Sequence, residues 1–99
     1  MIIITGSVHA RPETVEELLR LSLEHVHRSR AEGGCLLHSV LRDVEDPLRL
    51  VFLEQWEDRA AVDAHFAVPA SRAFVGDVGR LAASPPEMHL YQVDPVGGR

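Results

Sequence analysis

The sequence contains no lysine and no asparagine, and its only cysteine is Cys35. Without lysine, Schiff-base chemistry on a lysine side chain is excluded, and without asparagine no catalytic step can use an asparagine amide. A lone cysteine cannot form an intrachain disulfide, and no apolar run approaches the roughly 20 residues that cross a membrane. The chain also lacks the pattern of a secretory signal peptide. We therefore expect a cytoplasmic protein that does not act at a membrane.

Positive charge is also scarce. The ten arginines occur singly along the chain and are outnumbered by fifteen acidic residues, so the formal net charge at pH 7 is -5. Nucleic-acid binding needs a clustered basic surface that neutralises phosphates, and the sequence therefore predicts no nucleic-acid partner. A chain of 99 residues, 45% of them hydrophobic, is long enough for one core. We expect one domain over residues 1–94 and a flexible C-terminal tail over residues 95–99.

Hydrophobic periodicity predicts an alternation of strands and helices. Runs rich in β-branched and apolar residues predict strands at 1–8, 35–41, 48–53 and 87–93, and apolar residues spaced by three and four predict helices at 12–31, 59–67 and 70–83. A strand, a helix, two strands, helical residues and a final strand follow one another in the order of the split βαβ fold. The sequence thus predicts an α+β, ferredoxin-like βαββαβ sandwich with a four-stranded antiparallel sheet and helices on one face.

The hairpin formed by the second and third predicted strands is apolar on both faces. Leu36, Leu37, Val40 and Leu41 fall on both parities of the second strand, and the third strand shows the same pattern. The helices can cover only one face of such a sheet, and a second copy of the chain is the simplest cover for the other. We therefore expect a homodimer.

Four short motifs resemble those of the antibiotic biosynthesis monooxygenase superfamily, the dimeric α+β-barrel domains. They are Glu32-Gly33-Gly34-Cys35-Leu36, Asp43 with Asp46-Pro47, Glu54-Gln55-Trp56, and Ala60-Ala61-Val62-Asp63-Ala64-His65. The resemblance implies oxygenation of an electron-rich phenol or hydroquinone by dioxygen, with no flavin, metal or haem as cofactor. In such chemistry a base removes a proton, and the resulting anion gives an electron to dioxygen in a cavity that excludes water.

The chain departs from related proteins at several positions. Haem-degrading relatives place a histidine about ten residues beyond the position matched by His65, where this chain has Val75, and some use an asparagine that this chain lacks. Haem degradation is therefore disfavoured. His38 stands where relatives commonly have tyrosine, and Pro69-Ala70 stands where they often have Pro-His. These differences leave the substrate class open.

Two histidines are the predicted catalytic residues. His65 shares a helical face with Val62 and Phe66, so it points towards the sheet, and an imidazole can exchange a proton at neutral pH. The resemblance favours His65 as the general base, and the alternative is a buried histidine bonded to a backbone carbonyl. His38 is the second candidate, because it shares the parity of Glu54 and Trp56 on paired strands. Parity does not decide whether that face meets the helices or a partner sheet.

Five further residues are predicted to bind substrate: Glu54, Trp56, Phe74, Tyr91 and Ser22. A carboxylate beside a histidine can orient its ring, although Glu54 could instead pair with an arginine at the dimer seam. Trp56 would form a flat wall or pack in the core, and Tyr91 would donate a hydrogen bond or pack. Ser22 would leave room for a pocket or bond back to a helix carbonyl.

No metal site is expected, since the six histidines show no recognised metal-ligand spacing and His25 and His27 diverge on their helix. Three functions remain as alternatives. The first is a cofactor-independent monooxygenase of a small aromatic compound, the second a non-catalytic dimeric binding or scaffold domain, and the third an isomerase of a small hydroxylated carbonyl compound. An open cavity lined by His65 and His38 would favour an enzyme, and a cavity filled by apolar side chains would favour a scaffold.

Overall fold

The computed structural model, which describes residues 1–98, has one antiparallel sheet of four strands with three helices against one of its faces. The strands are β1 (Ile2–His9), β2 (Cys35–Arg42), β3 (Arg49–Trp56) and β4 (Glu87–Gln92), and their order in the sheet is β2-β3-β1-β4. The helices are α1 (Val15–Ser29), α2 (Arg59–Ala67) and α3 (Pro69–Leu81). The α+β, ferredoxin-like fold predicted from the periodicity is confirmed.

The main correction concerns the beginning of α1, which lies at Val15 rather than at the predicted residue 12. Thr14 is buried, and its hydroxyl donates to the carbonyl of Leu81 at 2.7 Å and accepts from the backbone N–H of Arg11 at 3.1 Å. These bonds tie the turn before α1 to the end of α3. The helix begins later because a distant element, invisible to local periodicity, engages the preceding turn.

The buried apolar residues form two clusters between the helices and the sheet. One cluster contains Ile2, Ile4, Trp56 and Val62, and the other contains Val8, Ala10, Val15, Leu18, Leu50, Val78 and Leu81. Along β3, Glu54 lies between Leu50 of one cluster and Trp56 of the other, and all three are buried. A polar side chain thus occupies the middle of the helix-covered face, where an apolar residue would ordinarily continue the core.

Gly34 holds the turn before β2 against the beginning of α2. Its φ of +81° lies in the left-handed region, and a Cβ atom there would lie 2.6 Å from the Cβ of Ala61. The backbone N–H of Glu57 donates to the Gly34 carbonyl at 2.9 Å. Glycine is required for both the conformation and the close approach. This contact places the turn that carries Glu32 beside α2.

The face of the sheet opposite the helices is apolar along the hairpin of β2 and β3, as its pattern predicts, and also carries polar residues such as Thr5 and His89 on β1 and β4. Leu53 pairs with Thr5 and Ser39, and Tyr91 pairs with Ile3, so these residues alternate with the helix-facing ones. The exposed fractions are 36% for Leu53 and 49% for Tyr91. We call this surface the open face. The homodimer expected to cover it stays a prediction.

Two further predictions concern the C-terminal residues and the possibility of a membrane-spanning helix. Residues 93–98 form no helix or strand, and Arg99 lies outside the described residues, so the flexible tail over 95–99 stays a prediction. Within residues 1–98, the helices lack the combination of length and apolar character needed to cross a bilayer.

Candidate functional site

A cavity of about 350 Å³ opens between the sheet and helices α1, α2 and α3. Its wall is mostly apolar, and half-buried Phe52 and Phe74 face each other with ring centroids 6.0 Å apart. The exposed side chains of Val75 and Met88 mark its mouth. The polar residues that line it are Ser7, His25, Glu54, His65, Ser71, Arg72 and Glu87. An apolar cavity with a few convergent polar groups is the usual form of a small-molecule site.

His65 lies at this cavity near the end of α2 and is 3% exposed. Its Nδ1 is 2.8 Å from Oε1 of Glu32, which comes from the turn between α1 and β2. A carboxylate only accepts, so Nδ1 carries a proton, and in the neutral form of the ring Nε2 has the lone pair. The alternative interpretation of the sequence, in which His65 is bonded to a backbone carbonyl, is wrong, because its partner is the carboxylate of Glu32. Glu32 was missed as a functional residue, although it begins the first motif that carries the family resemblance.

Glu54 lies directly beneath His65 on β3. Its Oε1 accepts from Nε1 of Trp56 at 2.9 Å and lies 3.9 Å from Nε2 of His65. Burial by itself raises the pKa of Glu54, but the interactions with His38, Trp56 and His65 outweigh burial and bring the pKa below its ordinary value. The carboxylate is therefore charged at neutral pH. Among the described residues, the basic side chains within 4 Å of this carboxylate are His38 and His65 rather than an arginine.

His38 lies on β2 behind Glu54 and is 1% exposed. Its Nε2 is 3.3 Å from Oε1 of Glu54, but the angle departs from that of a hydrogen bond. Within residues 1–98, neither ring nitrogen of His38 has a hydrogen-bond partner. The structure decides the question that parity left open: His38, Glu54 and Trp56 point towards the helices. His38 does not line the cavity itself.

His25 of α1 completes a group of three buried histidines that sequence reasoning missed. Its ring stacks on Phe74 with centroids 4.3 Å apart, and Nδ1 accepts from the guanidinium of Arg28 at 2.7 Å. Burial, followed by the charges of His38, His65 and Arg28, lowers the pKa of His25 to about 3, so this ring is neutral. Sequence analysis considered His25 only together with His27. Its neighbours in the fold lie on β2 and α2, which are distant along the chain.

The other predicted substrate-binding residues divide into two groups. Phe74 lines the cavity, as does Glu54. Trp56 is fully buried and packs against the ring of His65 with centroids 4.6 Å apart, so it holds that imidazole in place rather than lining the wall. Ser22 is directed away from the cavity because its hydroxyl donates to the carbonyl of Leu18 at 2.7 Å, the alternative that the sequence left open. Tyr91 lies on the open face, because its register places it opposite Ile3.

Ser71 is the cavity residue with the least expected environment. It is 5% exposed, and within the described part of the chain its hydroxyl has no hydrogen-bond partner. A buried hydroxyl without a partner is costly unless a ligand or water satisfies it. The cavity therefore combines the imidazole of His65 with an unpartnered hydroxyl and a mostly apolar wall.

Comparisons with known proteins identify the family of the chain. Residues 1–77 match the sequence profile of the family described as antibiotic biosynthesis monooxygenase. An uncharacterised protein of Synechocystis is 34% identical over 92 residues, which are 93% of this chain and 63% of that protein. The chain therefore spans less than two thirds of that relative. YcnE of Bacillus subtilis, a proposed monooxygenase, is 31% identical over 85 residues, which are 86% of this chain and 90% of YcnE.

Solved structures show the same fold. A Deinococcus radiodurans protein, described as a proposed antibiotic biosynthesis monooxygenase, superposes with a TM-score of 0.94. The superposition covers 100% of this chain and 98% of that one, at 24% sequence identity. At this identity the likeness establishes the architecture and not the substrate.

Proposed function

The chain belongs to the antibiotic biosynthesis monooxygenase family, and on this premise we propose that it oxidises a small electron-rich aromatic compound, such as a hydroquinone, with dioxygen and without a cofactor. The observation that carries the proposal is the pair formed by His65 and Glu32 at an apolar cavity. In its neutral form the pair presents one unprotonated imidazole nitrogen, backed by a carboxylate, to a cavity with a mostly apolar wall.

The first step is removal of a phenolic proton. The O–H bond of the substrate breaks, the proton moves to Nε2 of His65, and the electron pair stays on the phenolate oxygen. The charge that develops on the imidazole is stabilised by Glu32 at 2.8 Å and by Glu54 at 3.9 Å. Since both carboxylates are in place before the proton arrives, no large rearrangement is needed.

Electron transfer follows from the anion. The phenolate passes one electron to dioxygen, and the two radicals combine by forming a carbon–oxygen bond at the ring. One oxygen atom stays on the ring and the other leaves as water with two hydrogens of the substrate. Hydroquinone and dioxygen thus give a hydroxyquinone and water without an external reductant. The apolar wall, which includes Phe52 and Phe74, holds the aromatic ring and limits the escape of radicals.

We expect the protein to consume dioxygen with a hydroquinone and not with the dimethyl ether of the same compound. The two molecules share the ring, but the ether has no O–H proton for His65 to remove. An oxygen electrode and product analysis measure one dioxygen consumed per hydroxyquinone formed, above the rate in buffer alone.

Two outcomes would contradict the monooxygenase. One is dioxygen reduced to hydrogen peroxide with no hydroxylated product, and the other is turnover of the ether at the same rate. Conversion of a hydroxylated carbonyl compound under anaerobic conditions would instead support the isomerase. The open cavity above His65 supports an enzyme over a scaffold, although of the two histidines expected to line it only His65 does so.

The proposal includes a homodimer formed through the open face. Leu53 and Tyr91 are partly exposed there, and stacking of two such faces would bury them. Sedimentation equilibrium should give about twice the chain mass of 11.0 kDa. Leu53→Asp should give the monomer mass, because a twofold interface brings two new carboxylates together. Val44→Asp is the control, since Val44 is 98% exposed and lies between β2 and β3; a monomeric wild-type chain would contradict the dimer.

A further inference from the structure

We propose that His25, His38, His65 and Glu54 form a binding site for a divalent transition-metal ion at the closed end of the cavity. The site goes beyond the proposed oxygenation, which uses the metal-free protein. The four residues come from α1, β2, α2 and β3, so only the folded chain assembles them.

The first observation is the convergence of the possible ligand atoms. One ring nitrogen from each of the three histidines lies within 4.8 Å of the others. Glu54 Oε1 lies 3.3 Å from Nε2 of His38 and 3.9 Å from Nε2 of His65. Zinc holds nitrogen and oxygen ligands at about 2.0–2.2 Å, which places tetrahedral ligand atoms about 3.3 Å apart. The pair formed by His38 and Glu54 already has this spacing, and small side-chain rotations bring in the others.

The second observation is the environment of His38, whose ring nitrogens make, among residues 1–98, no hydrogen bond and only the 3.3 Å approach of Nε2 to the Glu54 carboxylate. The ring itself is buried. Most buried polar side-chain atoms in proteins are satisfied, and an exception calls for a water or an ion. A metal ion bound through one nitrogen of His38 supplies the missing partner. This argument is independent of the convergence, since it concerns the cost of leaving one ring unsatisfied.

The third observation is the orientation of His65. Metal-binding histidines usually donate their second ring N–H to a carboxylate or carbonyl, which leaves the other nitrogen free for the ion. Glu32 provides this contact at 2.8 Å, so Nε2 of His65 is free and faces Glu54. Glu32 and Glu54 also bring acidic side chains near the ion, and the nearby cations are Arg28 beside His25 and Arg30, which donates to the carbonyl of His38 at 2.9 Å.

A hydrogen bond from Arg28 determines whether His25 can bind the metal ion. A guanidinium only donates, so its contact with Nδ1 at 2.7 Å uses the one lone pair of a neutral His25 ring and puts the proton on Nε2. His25 can therefore bind a metal only when its hydrogen bond with Arg28 is broken. The described arrangement offers one nitrogen each from His38 and His65 and the carboxylate of Glu54, and His25 becomes the fourth ligand once that bond is broken.

The donor set indicates the class of ion. Imidazole nitrogens with a carboxylate suit zinc, cobalt, nickel, copper and iron, whereas magnesium and calcium prefer oxygen ligands. The ion would also take the lone pair of His65 that the proposed oxygenation needs. Metal binding and the action of His65 as base are thus mutually exclusive, and the protein loaded with zinc, which is redox-inert, should not oxidise hydroquinone.

The test is titration of the chelator-treated full chain with cobalt(II) chloride, followed by visible absorption, with zinc displacement and metal analysis for stoichiometry. We expect one ion per chain, with its visible bands absent in His38→Ala and in His65→Ala. Arg28→Met should bind cobalt about tenfold more tightly, because outer-sphere changes shift metal affinity by about 10–100-fold. Loss of fold cannot produce such a gain.

His89→Ala is the matched control, because His89 is exposed on β4 and far from the cluster in the sheet. Unchanged binding in this variant is expected. Cobalt binding that survives in His38→Ala and His65→Ala, or that is absent from the wild-type chain and from Arg28→Met, would overturn the metal site. Neither result affects the oxygenation assay, which is carried out on metal-free protein.

Discussion

Replacing His65 with alanine should lower kcat/KM for hydroquinone oxidation by about 10²- to 10⁴-fold, the usual contribution of a positioned general base. His65 is the histidine at the cavity whose Nε2 is left free by a carboxylate on Nδ1. The ring is also packed against Trp56, so its orientation is fixed before substrate binds. The measurement is the initial rate of dioxygen consumption with metal-free protein at several hydroquinone concentrations.

The control for this prediction is His27→Ala, which removes an exposed histidine from α1 and should leave the rate unchanged. Added imidazole should partly restore the rate of the His65→Ala protein, because the truncated side chain leaves space for a free base. Glu32→Gln should give a smaller loss than His65→Ala, since an amide oxygen still accepts from Nδ1 but carries no charge. Equal rates for the wild-type and His65→Ala proteins would remove His65 from the mechanism.

Trp56→Ala should lower the free energy of unfolding by about 3–5 kcal/mol, the usual cost of truncating a buried aromatic residue. Trp56 is fully buried in the cluster with Ile2, Ile4 and Val62. Its indole N–H also donates to the charged carboxylate of Glu54 at 2.9 Å, so truncation leaves a buried carboxylate with one partner fewer. Urea unfolding followed by circular dichroism, at equal protein concentrations, measures the loss.

Trp56→Phe separates the two contributions of the indole. Phenylalanine keeps part of the apolar volume and removes the donor, so the loss should be smaller than in Trp56→Ala and should include about 1–3 kcal/mol for the missing hydrogen bond to a charged group. Glu32→Ala cannot separate these two contributions, because Glu32 lies outside the apolar cluster that contains Trp56. A Trp56→Ala protein destabilised by less than about 1 kcal/mol would contradict the packing described for this end of the core.

The architecture followed from the sequence because its signals are local. β-branched runs, apolar spacing and turn residues each depend on neighbours along the chain, and their order leaves few ways to form one sheet. The beginning of α1 was predicted too early for the opposite reason. The bond from Thr14 to Leu81 joins residues far apart in sequence, and no periodicity records it.

The candidate site was predicted only in part. His65, Glu54 and Phe74 were identified from motif and periodicity and lie at the cavity. Tyr91 was assigned to the site because strand parity tells which residues share a face and not which face the helices cover.

What the sequence determined by itself is therefore the order of elements, the apolar character of both sheet faces and the presence of a histidine on the buried side of α2. The tertiary structure alone decided which groups meet that histidine. Glu32 reaches it because Gly34 brings the turn against α2, and His25 reaches it because α1 packs over β2. Hydrogen bonds and close ring contacts are set within a few ångströms, whereas the sequence pattern specifies only faces and order.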